Sequence, residues 1–369
     1  MRAVLSAAKH KQDAGGFAFC KSGLAVRLLF FFFMRYEDLL DERKLYNAMK
    51  ACAKGVGWKR SVQLYLLERA ANLDALLAKL RARDFSFPPC RTFDVTERGK
   101  KRHIQAASLE ERIVQKLLCE HVLAPALSRT LIYDNGAIIK GKGLSFSRRR
   151  MVTHLSRYYR RFGSAGYALC IDFKHYFAGI DREKLFEKLR AVITDADIFA
   201  LVQALVQKGE QGLSLGAEIS QILALWYPNE IDHYAKEVLR LHFYVRHVDD
   251  ICILHASRVY LEECLAKIRV LCARHGIAIN ERKTHITKLE KGFTFLKVCY
   301  RLTGTGRTAR TSRSDAPARE KRRLEKMRAL CASGAMSRRE ARQQYKSWRG
   351  QQKRAQRWCK LKALDRAAD

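Results

Sequence analysis

Residues 242–255 read HFYVRHVDDICILH. Two apolar runs, Phe243–Val245 and Ile251–Leu254, meet at the adjacent acids Asp249 and Asp250. Short apolar runs rich in β-branched residues predict buried strands, and the acids between them predict a tight hairpin with both carboxylates at its tip. Two neighbouring carboxylates in a segment that favours burial are costly without compensating charge. A divalent cation would supply that charge. Read alone, the pair also fits an ordinary Asp-rich β-turn.

A third acid changes the weighting. GYALCIDF (166–173) is a continuous apolar run ending at Asp172, so it reads as a buried strand with a carboxylate projecting from its end. Three carboxylates on neighbouring strands suit two-metal phosphoryl transfer, in which one metal activates a hydroxyl and the other clamps a triphosphate. Mg²⁺ fits best, because it prefers hard oxygen ligands and leaves room for phosphates, with Mn²⁺ as its substitute.

Outward from these strands the pattern alternates. Apolar residues recur at three and four through 35–84, predicting helices that Pro88 and Pro89 terminate. RTFDVTERGKKRHIQAA (91–107) reads as strands joined by a turn at Arg98-Gly99, and LEERIVQKLLCEHVLAPAL (109–127) as a helix halted near Pro125. DNGAIIKGKG (134–143) is a glycine-rich loop before a very basic helix, SRRRMVTHLSRYYRRFG. Asp181 is placed to cap the next helix, a second helix spans roughly 195–208, and GLSLGAEISQILALWYPNEIDHYAKEVLR (212–240) is a turn leading into a long helix. Residues 258–275 form an amphipathic helix closed by Gly276, INERKTHITKL and GFTFLKVCYRL read as strands, and the remainder as basic helix. This order predicts an α+β fold, a short antiparallel sheet packed on one side by helices.

Charge narrows the partner. The 369 residues hold 71 Lys plus Arg against 37 Asp plus Glu, a net charge of +34. Such an excess repels itself unless a polyanion is bound, which favours nucleic acid. Residues 301–369 alone carry 21 basic and 6 acidic residues, 21 − 6 = +15. The 11 cysteines include no CxxC pair, and several sit in apolar runs, as buried thiols do in a reducing cytosol. A cytoplasmic protein is therefore expected, without disulfides or a zinc site. LAVRLLFFFFM (24–34) is interrupted by Arg27 and falls short of the about 20 apolar residues a bilayer span needs. The folded protein is expected to begin near Met34, with residues 1–33 an extension.

Taken in order, the segments resemble the reverse transcriptases. CIDFKHYFAGIDREKL is similar to their motif A, GLSLGAEISQ to motif B, YVRHVDD to the YxDD of motif C, INERKT to motif D and FTFLKV to the primer-grip motif E. ERGKKRHI, LEERIVQKLL and DNGAIIKGKG resemble the fingers motifs and following loop of bacterial members, and the tail with YKSWRG resembles their thumb. Each motif is weak alone, but their register over residues 90–300 is specific.

The resemblance implies a right-hand polymerase: N-terminal helices and fingers over 34–165, a palm over 166–300 and a basic helical thumb over 301–369. It implies an RNA-directed DNA polymerase extending a primer 3′-hydroxyl with dNTPs on an RNA template, with two Mg²⁺ ions on Asp172, Asp249 and Asp250. Lys100, Lys101 and Arg102 match the residues that hold the incoming triphosphate, Arg102 best because its planar fork suits phosphate. Phe173, next to Asp172, is expected to line the nucleotide site, and Phe177 falls at the steric-gate position, with Tyr176 taking that role if the register shifts by one. Gly216, Ser220 and Gln221 match the motif that packs under the nascent base pair, and Lys283 the candidate general acid for the leaving pyrophosphate.

Three positions depart from the pattern. His247 replaces the tyrosine of YxDD, Lys297 replaces the glycine of the motif E FLG, and motif B ends in Ser220-Gln221 where group II intron and retron enzymes have Ser-Pro. Ser-Gln resembles the diversity-generating retroelement branch and ungrouped enzymes, some linked to phage defence. A cognate RNA or accessory protein fits either setting. Two further readings stay open at this point: a non-catalytic RNA-binding or splicing cofactor, and a template-independent polymerase.

Overall fold

The computed structural model describes residues 35–97, 100–137, 139–209, 211–312 and 316–353, all within the unit Met34–Asp369. The expectation for residues 1–33 and the turn at Arg98-Gly99 lie outside the described residues.

The central sheet is built on the runs that the sequence marks as buried. Strands β3 (Tyr167–Asp172), β4 (Phe243–His247), β5 (Asp250–His255) and β6 (His285–Lys288) are ordered β4-β5-β3-β6, every neighbour antiparallel. Successive residues of a strand face opposite sides, so each strand feeds two layers. Leu169, Ile171, Ile251 and Ile253 join the large core formed with the helices Leu109–Leu118, Ala196–Gln207, Glu218–Trp226 and Arg258–Arg274. Ala168, Cys170, Cys252 and Leu254 face the other way, onto Met151, Leu155 and Tyr158 of the helix Leu144–Phe162 and onto a second sheet. That sheet contains β7 (Phe293–Phe295), β8 (Val298–Leu302) and β9 (Thr308–Ser312). Helices therefore cover one face of the sheet, and a mixed layer covers the other. The α+β architecture is as expected, with the cover two-sided rather than one-sided.

A two-stranded antiparallel hairpin, β1 (Arg91–Glu97) and β2 (Lys100–Ala106), stands apart from the central sheet. At the C-terminal end the helices Ala316–Ala332 and Arg338–Lys353 share a small core of Leu324, Met327, Tyr345 and Trp348. Among the described residues no helix is long and apolar enough to cross a membrane.

Four local expectations are corrected. The helix from Leu109 does not stop at Pro125: a π turn at Cys119–Leu123, in which the Ala124 N–H reaches back to Cys119 O, lets Pro125 sit at the start of a fresh segment, Ala124–Ser128. There its missing N–H costs nothing. The expected long helix after residue 217 ends at Trp226, because Pro228 breaks it, and resumes at Asn229–His233. INERKT is a turn, not a strand: Lys283 N–H and Thr284 N–H both bond Asn280 O. FTFLKVCYRL is a hairpin, with Phe295 opposite Val298 and both Leu296 (φ 50°) and Lys297 (φ 67°) left-handed. Two-residue hairpin loops favour this backbone twist, although Gly or Asn adopts it at less cost. Arg148 pins the turn by donating to Leu296 O at 2.7 Å.

Candidate active site

Asp172 closes β3, and its register partner across the ladder is Asp250, the first residue of β5. Asp250 is also the partner of His247 on β4. Directly opposed residues of an antiparallel ladder point to the same face, so His247, Asp250 and Asp172 form a row across one end of the sheet. Asp249 stands beside them on the turn. The hairpin has only Val248 and Asp249 between its paired residues, and Val248 adopts φ 59°. A β-branched residue resists that conformation, so the turn is locally strained.

The carboxylates crowd one another. Burial first, and then the negative charges of Asp249 and Asp172, together push the Asp250 carboxyl up to about 7 against the opposing charges of Lys283 and Lys297. Asp172 is nearly buried and carries most of the visible countercharge: Lys283 Nζ lies 2.7 and 2.5 Å from its two oxygens, and Asn280 Nδ2 donates to Oδ1 at 2.8 Å. Hard oxygen donors from three acids, repelling one another at one end of a sheet, are the donor set a divalent cation relieves. Among the described residues no three His, Cys, Asp or Glu side chains already close into a metal shell.

His247 is tied down from behind. Its Nδ1 lies 2.9 Å from Ser147 Oγ and 3.1 Å from Gly136 O. A carbonyl only accepts, so Nδ1 carries the proton, and burial lowers the basicity of the ring. The glycine loop is thereby fixed against the acidic turn. At Gly136 a Cβ would lie 1.9 Å from Ser147 Oγ, so the approach needs glycine.

Phe177 and Tyr176 separate cleanly. Tyr176 is buried and its hydroxyl donates to Ala224 O at 2.6 Å, whereas Phe177 is only partly buried at the edge of the core. The Phe177 backbone receives the 212–217 loop through Leu213 N–H at 2.8 Å. Gly212 permits this contact, since a Cβ there would lie 2.4 Å from Phe177 O. Gly216 meets no such obstacle and is required by its φ of 107°. Ser214 Oγ ties the same loop to Gln105 on β2 at 2.7 Å. Gln221 is exposed on the first turn of its helix and Ser220 is buried.

Other expected residues fall elsewhere. The Phe173 ring is buried in the core, and only its backbone serves the site, with Phe173 N–H donating to Asp249 O at 3.3 Å. Lys100, Lys101 and Arg102 lie on β2, but their side chains lie outside the described set.

Residues 93–299 match the family described as Reverse transcriptase (RNA-dependent DNA polymerase). The chain belongs to the reverse transcriptase family. Its α+β architecture is the right-hand polymerase fold of that family, and the family's chemistry is nucleotidyl transfer. No curated protein matches the chain in sequence. Solved structures similar to it include a telomerase from Candida albicans in complex with the TWJ fragment of telomeric RNA, at 13% identity over 63% of this chain and 46% of that one, TM-score 0.48. Another is the apo telomerase from Candida tropicalis, at 13% identity over 58% and 47%, TM-score 0.47. The chain spans about half the length of these structures.

Sequence reading missed Arg246, Asp232, Asn280, Gly212 and Arg148 as supports of the site. A charged residue inside the apolar run FYVRHV was the one available signal, since a buried arginine needs a partner.

Proposed function

We propose that this reverse transcriptase extends a primer 3′-hydroxyl with dNTPs on an RNA template, with Asp172, Asp249 and Asp250 holding two Mg²⁺ ions. The supporting observation is the register that sets Asp172 against Asp250, with Asp249 on the adjoining turn. Mg²⁺ bound there lowers the pKa of the primer hydroxyl and neutralises the triphosphate. The remaining work falls to the chain. In this reading Phe177 is the steric gate, whose ring would exclude a ribose 2′-hydroxyl and so favour deoxynucleotides. The loop around Gly216 and the exposed Gln221 support the nascent pair, and the basic strand Lys100–Arg102 receives the triphosphate. Lys283, which pairs with Asp172, would be the general acid for the leaving pyrophosphate. The two basic helices after residue 316 track the phosphates of the template–primer duplex, with Mg²⁺ or Mn²⁺ as cofactor. Ser220-Gln221 supports a bacterial retroelement or phage-defence setting.

Primer extension tests this. Purified protein receives an RNA template, an annealed DNA primer, Mg²⁺ and either dNTPs or NTPs. Extension with dNTPs that disappears in Asp249→Ala/Asp250→Ala is the expected result. Extension that survives in that variant refutes the assignment of the acids, and none with any nucleotide or metal favours a binding role.

A further inference from the structure

The face of the sheet opposite the acids holds a fully buried ion pair. Arg246 meets Asp232 fork to fork, Nε to Oδ1 at 2.7 Å and Nη2 to Oδ2 at 2.6 Å, and both side chains are wholly inaccessible. Tyr244 Oη also donates to Asp232 Oδ1, at 2.6 Å. Arg246 Nη2 donates again to Leu225 O at 2.9 Å. The remaining Nη1 reaches round the end of the strand to Val248 O, also at 2.9 Å. The Arg246 main chain is held too: its N–H bonds Asp134 O at 3.2 Å, and its carbonyl accepts from Gly136 N–H at 3.0 Å.

A buried ion pair is weak evidence for stability, because apolar residues of similar volume fill such a site equally well. This one ends on the carbonyl of a strained residue. Val248 is left-handed and immediately precedes Asp249. A turn of this kind persists only where its surroundings over-determine it. Two bonds do so here, Arg246 to Val248 O on one side and Phe173 N–H to Asp249 O on the other.

We propose that Arg246, neutralised by Asp232, is the positioning residue of the acidic turn: its bond to Val248 O holds the left-handed backbone that presents Asp249 and Asp250 beside Asp172. Without that bond Val248 relaxes towards negative φ, the next peptide rotates, and Asp249 swings away from its place beside the row. The cation then loses a ligand although no ligand has been mutated. The polymerase reading supplies the cation's purpose. The positioning itself concerns only how the acids are held.

Arg246→Lys, Val248→Gly and their combination in the full chain test the proposal, together with Arg246→Met/Asp232→Leu, which removes both buried charges. Mn²⁺ binding is followed by the EPR signal of the free ion, folding by the thermal transition, and activity by dNTP incorporation. Arg246→Lys is expected to bind Mn²⁺ about tenfold more weakly, with primer KM within twofold of wild type, since a lysine keeps the charge but not the fork. Val248→Gly costs about threefold through its looser turn, and adding Arg246→Lys to it costs less than a further twofold, because glycine adopts left-handed φ unaided. Arg246→Met/Asp232→Leu folds and shows the same tenfold loss. An equal loss from Arg246→Lys with and without Val248→Gly would overturn the proposal, as would wild-type Mn²⁺ affinity in either Arg246 variant. Mn²⁺ binding that follows this pattern without any nucleotide incorporation upholds the positioning role and refutes the polymerase reading instead.

Discussion

Replacing Asp250 by Asn should stabilise the metal-free protein, and by more as the pH rises. The Asp250 carboxyl titrates at about 7 in the fold, raised first by burial and then by Asp249 and Asp172. In the unfolded chain it titrates at about 3.9. The folded state therefore holds this proton to higher pH than the unfolded state does. Stability is unpenalised below about pH 4, falls as pH rises from about 4 to about 7, and levels off above that. Three pKa units correspond to about 4 kcal/mol, an upper figure because the three acids share their titration. For a unit of 336 residues (369 − 33), an unfolding entropy of about 2.1 cal/mol/K per residue turns this into about 6 °C of Tm. Calorimetry of the two proteins in EDTA should give nearly equal Tm values at pH 4.5 and a gap of several degrees at pH 8. Millimolar Mg²⁺ should narrow the gap by stabilising the wild type alone, since only it keeps the full set of carboxylates. A Tm difference that stays flat between pH 4.5 and 8 would refute the claim that the acids crowd one another in the fold.

Two paired substitutions test neighbouring parts of the site. Phe177→Val should admit NTPs, lowering the dNTP over NTP preference in kcat/KM by at least tenfold, while Tyr176→Phe should leave that preference unchanged and cost about 1 kcal/mol through the lost bond to Ala224 O. The opposite assignment of the two effects would move the steric gate to Tyr176. Gly212→Ala should destabilise by about 2–4 kcal/mol in urea unfolding, because its Cβ meets backbone atoms at 2.4 and 2.5 Å that cannot step aside, whereas Gly216→Ala, with its nearest neighbour at 3.5 Å, should cost about 1 kcal/mol from its φ alone. Equal costs would mean that the 212–217 loop is not seated on the Phe177 backbone.

Much of the architecture was legible because it rests on local pattern. The apolar runs ending in Asp172 and flanking Asp249-Asp250 define buried strands with acids at their ends, and such strands pair wherever the chain lets them. Asp181 capping its helix through Glu183 N–H and Lys184 N–H, and Gly276 following the helix Arg258–Arg274 at φ 67°, follow from local chemistry confined to a few residues. Elements failed where a distant partner overrode local preference. In the INERKT segment Ile279 bridges Phe173, and the residues after it turn as Asn280 and Lys283 bond Asp172, 108 and 111 residues earlier in the chain. The π turn before Pro125 and the break at Pro228 show two helix prolines accommodated in two ways.

The sequence by itself determined that acids would sit at strand ends amid a large positive charge, because burial and repulsion act through composition and short-range pattern. Only the tertiary structure decided which residues hold those acids in place. The Arg246–Asp232 pair, the seat of Gly212 on Phe177, and the choice of Phe177 over Tyr176 as the less buried ring all depend on contacts between segments far apart in the chain. Such contacts follow from three-dimensional packing, which no local periodicity encodes.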